Sequence, residues 1–247
     1  MLLLTELLNI TIRDFSGNLS DLLDASSKRI PRNVFIRRIN REVMLSKEVL
    51  QAHYREYASQ PDGWVGNMEK TKLSIVKGVI SLSKFTSKKS VLKIAVLGAS
   101  DKRYIPIHQR VFETVLHKSI DMVTLDVDRA HLGNRKDVLR HDVTKKFLEK
   151  YDIIFSHELM KFLSPGEQFL TMKNSYNALT KGGIAMHIMH EPSVEGTSEL
   201  RSWQHRVNPE LLLKQLKSEK IIAKKLVFES ESNVSWLRKT TVLVLQK

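Results

Sequence analysis

Four short stretches of the chain carry residues able to do chemistry. The stretch "GASD" (98–101) follows the apolar run 94–97 with Gly98, the small residues Ala99 and Ser100, and a carboxylate, Asp101. Such a turn lets backbone approach a ligand closely. Asp126 ends a second apolar run, "VTLD", with Asp128 two residues on. The paired oxygens of a carboxylate at a strand end suit the two hydroxyls of a ribose. His157 and Glu158 close "YDIIFSHE", and His190 and Glu191 close "GIAMHIMHE". A histidine so placed can take a proton from a hydroxyl or an amine, because imidazole titrates near neutrality. These four residues are also of metal-ligating type, but their spacing matches no metal motif, and no metal site is expected.

Composition narrows the setting. The 247 residues are 42% hydrophobic, enough to bury one full core and carry an extension. The formal charge of +13 favours polyanionic partners, or serves solubility alone. With no cysteine there is no disulfide, no thiolate zinc site and no thiol nucleophile. The opening "MLLLTELLNI" is short, is broken by Glu6 and lacks a basic lead. No stretch approaches the ~20 apolar residues of a spanning helix. The reading is a cytoplasmic protein with no membrane segment.

The positioning elements follow from periodicity. Residues 1–90 read as helical, with helices in "LTELLNI", "SDLLDASSKRI", "SKEVLQAHYREYAS" and "NMEKTKLSIVKGVISLSKF". The polar joint "TSKKS" (86–90) then leads into short β-branched runs alternating with helical patterns. Strands are expected at "VLKIAVLG", "DMVTLDVD", "KDVLRHD", "YDIIFSHE", "GIAMHIMHE", "IIAKKLVFESE" and "TTVLVLQK". Alternation of this kind implies a doubly wound, mainly parallel sheet. The last two strands are joined by "SNVSWLRK", too short for a helical crossover, so they should form an antiparallel hairpin. The expected architecture is α/β: a helical extension over 1–90, then a seven-stranded domain over 91–247.

From Val91 onward the chain resembles the class I S-adenosylmethionine-dependent methyltransferases, on four stations in order. The first is "KIAVLGASDK", where Val96 stands at the family's acidic position and one glycine replaces the Gly-x-Gly-x-Gly pattern. The second is "VTLDVD". The third is "LRHDVTKKFLEKYDIIFSHELMKFLSPGEQ", similar to the family's adenine-binding aspartate, its "FDLV" strand and its "HEVLEHL" helix start. The fourth, "ALTKGGIAMHIMHE", is similar to the family's "LKPGGxL" turn into strand five.

The resemblance implies S-adenosylmethionine as cofactor, held by Gly98, Ala99, Ser100, Asp101, Asp126, Asp142 and Val143. Asp126 would take the ribose; Asp142 would meet the adenine amino group, with Val143 against the ring. His157, Glu158 and His190 are the candidate catalytic residues. The acceptor is a small molecule or an RNA, since "SHEL" differs from the Asn/Asp-Pro-Pro-aromatic pattern of base-amine enzymes. The basic segment "KRIPRNVFIRRINR" (28–41) is a possible nucleic-acid contact. Two alternatives stay open: an inactive methyltransferase-like scaffold, for which the degenerate first loop speaks, and an NAD- or nucleotide-dependent oxidoreductase.

Overall fold

A computed structural model describes residues 47–190, 194, 204–229 and 239–247. The two helices expected within 1–46, the basic segment 28–41 and Glu191 lie outside the described residues. The chain divides into two compact units, Met1–Glu56 and Tyr57–Lys247. Helix α1 (Lys47–Ala58) begins in the first. The second holds α2 (Asp62–Ser83), β1 (Val91–Leu97), α3 (Tyr104–Leu116), β2 (Ser119–Asp126), β3 (Val138–Arg140), β4 (Tyr151–His157), α4 (Pro165–Ala178), β5 (Leu179–His190), α5 (Pro209–Ser218), β6 (Ala223–Glu229) and β7 (Lys239–Gln246). The sequence reading sets the joint near residue 90. In the structure α2 shares a core with β1 and α3, because Val65, Met68, Ile75, Val76 and Val79 form one apolar stripe against Ile94, Val96, Ile107 and Val111.

The sheet runs β3-β2-β1-β4-β5-β7-β6. Strands β1 to β5 pair in parallel, and β7 pairs antiparallel with both β5 and β6. The closing hairpin is therefore present, with β7 threaded between β5 and β6. In β4 the first six residues are all buried, as expected of a strand covered on both faces. Its side chains divide by the two-residue period. Ile153 and Phe155 face α2 and α3, while Ile154 joins the opposite core of Met172, Leu212 and Leu216.

Local chemistry sets the helix starts on that second face. At α4 the Glu167 carboxylate accepts from the Ser164 backbone N–H at 2.9 Å, with Pro165 next in line. At α5 the Asn208 Oδ1 accepts from the Leu211 N–H at 2.9 Å. At the base of β4, Asp152 accepts from Lys89 Nζ at 2.6 Å, the Lys93 N–H at 3.0 Å and Thr180 Oγ1 at 2.7 Å. Burial raises the Asp152 pKa, but these donors outweigh it and hold the carboxyl below its usual range.

Candidate active site at the carboxyl edge of the sheet

Parallel pairing brings Gly98, Asp126, Asp142 and His157 to one edge of the sheet, with His190 beside them at the end of β5. The antiparallel β7 starts at the same edge, where Thr240 pairs with His190. Along this edge the predicted residues form two groups.

The first group surrounds the loop after β1. Gly98 adopts φ +73°, and its N–H donates to the Leu125 carbonyl at 2.8 Å. A side chain at position 98 would be strained by that φ, although a Cβ there would meet only Leu159 Cδ1, at 3.4 Å. Ser100 and Lys102 stand where the family pattern has glycines, and neither lies in the left-handed region. The loop thus turns without the missing glycines. The buried Asp126 accepts from the Ala99 N–H through Oδ2 and from the Asp128 N–H through Oδ1, each at 3.0 Å. Burial pushes its pKa up, more than the two N–H donors pull it down.

His131, to which the sequence assigned nothing, donates from Nε2 to the Ala99 carbonyl at 2.7 Å and stands 4.0 Å from Asp126 Oδ2. It sits in a short 3-10 turn, Ala130–Leu132, whose Leu132 is fully buried beside Ala99. Two other predicted residues are placed differently. Asp101 is buried and turned onto Arg103, accepting from its N–H at 2.7 Å and its Nε at 3.0 Å. Arg103 in turn donates to the carbonyls of Tyr57 and Gln60, each at 2.9 Å, and to Asp62 at 3.0 Å. This pair anchors the loop to the segment before α2. Asp142 is exposed after β3, where its Oδ1 accepts from the Thr144 N–H and hydroxyl, and Val143 is buried in the core beneath.

The second group lies at the ends of β4 and β5. His157 follows Phe155 by two residues, so it projects to the α2 face, and His190 does the same after Ile188. Their Nε2 atoms are 2.7 Å apart. His157 Nδ1 is 2.6 Å from Lys72 Nζ, and His190 Nδ1 is 3.0 Å from Thr240 Oγ1. Glu158, in the left-handed region at φ +60°, folds back to accept from the His190 N–H and from Lys161 Nζ at 2.7 Å. Burial opposes the Glu158 charge, but Lys161 and His190 hold its pKa below the usual range. Burial drives His190 down to about 4 and, with Lys72, drives His157 well below 6.5.

Lys72 and Thr240 were missed from sequence. The signal for Lys72 was available: a lysine on the apolar stripe of α2, four residues after Met68 and three before Ile75. Thr240 carried none, because only the β5–β7 pairing makes it a neighbour of His190.

No family model matches the chain. No curated protein matches it. Solved structures do. An S-adenosylmethionine-dependent methyltransferase from Clostridium acetobutylicum superposes with TM-score 0.54 at 9% identity, over 78% of this chain and 98% of that one. The N-methyltransferase NodS of Bradyrhizobium japonicum, in complex with S-adenosyl-L-homocysteine, gives 0.52 at 14% identity, over 81% and 97%. A TehB-like methyltransferase from Corynebacterium glutamicum gives 0.52 at 16% identity, over 80% and 99%. The chain has the fold of the class I S-adenosylmethionine-dependent methyltransferases. Among the described residues, no helix is long and apolar enough to cross a membrane.

Proposed function

We propose that the protein binds S-adenosylmethionine at the loop 98–101 and Asp126, and transfers its methyl group to a small molecule or an RNA. The observation that carries this reading is the Asp126 carboxylate at the end of β2, one hydrogen bond from the loop after β1. Each of its oxygens accepts one protein N–H. A carboxylate oxygen has two acceptor positions, so each can still accept from a ribose hydroxyl with no bond broken. Gly98 fits as well, since without a Cβ it leaves the loop backbone open to a close ligand.

When bound, the cofactor supplies an electrophilic methyl group on a sulfonium. The chain's own residues then have three tasks. Asp126, held by the Ala99 N–H, would take the ribose hydroxyls, and Asp142 and Val143 would meet the adenine. Arg103 and Asp101 keep the loop fixed while the ligand enters. The cluster of His157, Glu158 and His190, beyond the ends of β4 and β5, faces the acceptor and receives its proton.

Titration calorimetry with S-adenosylmethionine and S-adenosylhomocysteine, with NAD as control, tests the reading. Binding of the first two but not NAD, lost in Asp126→Ala, is expected. No binding by the wild type overturns it. The engagement of both nitrogens of His157 and of His190 favours a second reading, a methyltransferase-like protein that binds cofactor without transferring methyl. Turnover against separate metabolite and RNA pools separates the two.

A further inference from the structure

Four groups from four elements form one chain of contacts inside the second site: Lys72 on α2, His157 on β4, His190 on β5 and Thr240 on β7. Lys72 is 3% exposed and His190 1%. Two of the three links join nitrogen to nitrogen, and each such link needs one hydrogen and one lone pair. If Lys72 is an ammonium it has no lone pair, so His157 Nδ1 must be bare and its hydrogen must sit on Nε2. His190 Nε2 is then bare in turn, and its Nδ1–H donates to Thr240 Oγ1. A second excess proton on either ring would put hydrogens on both sides of one link and break it. Removing the first leaves an amine, which can donate or accept, and the chain of links survives. Three basic groups therefore hold at most one excess proton.

We propose that Lys72, His157 and His190 act as a single base with one proton to gain, and that Lys72 is the positioning residue that takes up, along the chain from Thr240, the proton released by the methyl acceptor. This rests on the methyltransferase reading. In the step, the bond from acceptor to methyl carbon forms and the sulfur–methyl bond breaks, its electron pair staying on sulfur. The acceptor's proton enters at Thr240 Oγ1; the Thr240 hydroxyl hydrogen moves to His190 Nδ1, the His190 Nε2 hydrogen to His157 Nε2, and the His157 Nδ1 hydrogen to the Lys72 amine. The sulfonium loses its positive charge as Lys72 becomes an ammonium, so the net charge of the site is unchanged.

The surroundings suit a group that is neutral before the step and charged after it. The rings of Tyr104 on α3 and Phe155 on β4 lie 5.2 and 5.7 Å from Lys72 Nζ, a geometry that accommodates a cation. Glu158 attracts the ammonium, while its partner Lys161 tempers that attraction. His108 on α3 packs edge-on against Phe155, and neither of its ring nitrogens has a hydrogen-bond partner. Burial and Lys72 keep it uncharged near neutrality. Burial lowers Lys72 to about 7, so the amine is available at neutral pH.

Nitrogen-resolved NMR of the full chain, from about pH 5.5 to about pH 9.5, tests this. The imidazole nitrogens of His157 and His190 are expected to move with Lys72 at one shared midpoint, with no step of their own. In Lys72→Met that step should vanish while S-adenosylhomocysteine binding persists. Separate midpoints for the two rings in the wild type overturn the proposal, and so does an unchanged midpoint in Lys72→Met. If the variant does not fold, the wild-type titration decides alone. Loss of S-adenosylhomocysteine binding by the wild type, with the shared midpoint intact, would sink the methyltransferase reading instead.

Discussion

The Nε2 atoms of His157 and His190 meet at 2.7 Å across neighbouring parallel strands, with ring planes at 89°. This contact joins β4 to β5 at the edge where the site lies, and through Lys72 and Thr240 it extends to α2 and β7. His190→Leu leaves His157 Nε2 and Thr240 Oγ1 without those partners, at a typical cost of about 1–3 kcal/mol per buried polar group. A loss of about 2 kcal/mol in urea unfolding is expected. An unchanged midpoint and slope would show that the link carries no stability.

The same cluster sets a pH dependence. His190 and His187 are lowered by burial to about 4 and about 3, from an ordinary 6.5. The unfolded chain binds more protons there, so stability falls as pH drops from about 6.5 toward 4. Lys72, lowered from 10.5 to about 7, acts in the same direction in a higher window, and stability should rise between about pH 7 and pH 10. Tyr104 and Tyr151, pushed up to about 12 chiefly by burial, enter only above that range. Urea melts across these windows are the measurement. Lys72→Met should flatten the upper limb and lessen the lower one, because Lys72 adds to the burial that holds His190 and His157 down.

Arg103 carries the loop's tie to the segment before α2. In Arg103→Met, the buried Asp101 loses its cation and the carbonyls of Tyr57 and Gln60 lose a donor. Because Arg103 keeps 28% of its side chain exposed, the expected cost is discounted to about 2 kcal/mol. Calorimetry should show weaker S-adenosylhomocysteine binding, since the loop proposed to hold the ligand is released.

The loop's one glycine and its replaced ones should respond oppositely. Gly98→Ala forces a Cβ into φ +73°, at about 1–2 kcal/mol by thermal melting, with weaker cofactor binding. Ser100→Gly restores one of the two replaced glycines, but Ser100 is outside the left-handed region, so there is no strain to relieve. It should lower stability by about 0.4–1 kcal/mol through unfolded-state entropy. A gain in stability would mean that the loop is strained after all.

Much of this architecture was legible in the sequence because its signals are local. The short apolar runs at β1, β2, β4 and β5 and the short link before the last strand each state a conformation within a few residues. The ends of parallel strands share one edge, so Gly98, Asp126, His157 and His190 could be placed together before any coordinates. The partner of α2 was not legible in this way. The spacing of α2 states that the helix is amphipathic but not which partner covers its stripe.

The sequence by itself determined the strand–helix alternation, the closing hairpin and the residue types available at the carboxyl edge. Only the tertiary structure decided how those residues are used. Asp101 turned to Arg103 and Asp126 to the Ala99 N–H, His131 came under the loop, and both histidines were joined to Lys72 and Thr240. The physical reason is that a buried polar atom must find its partner within about 3 Å. Which atom lies at that distance depends on strand order and register, and 85 residues separate Lys72 from His157 in the chain.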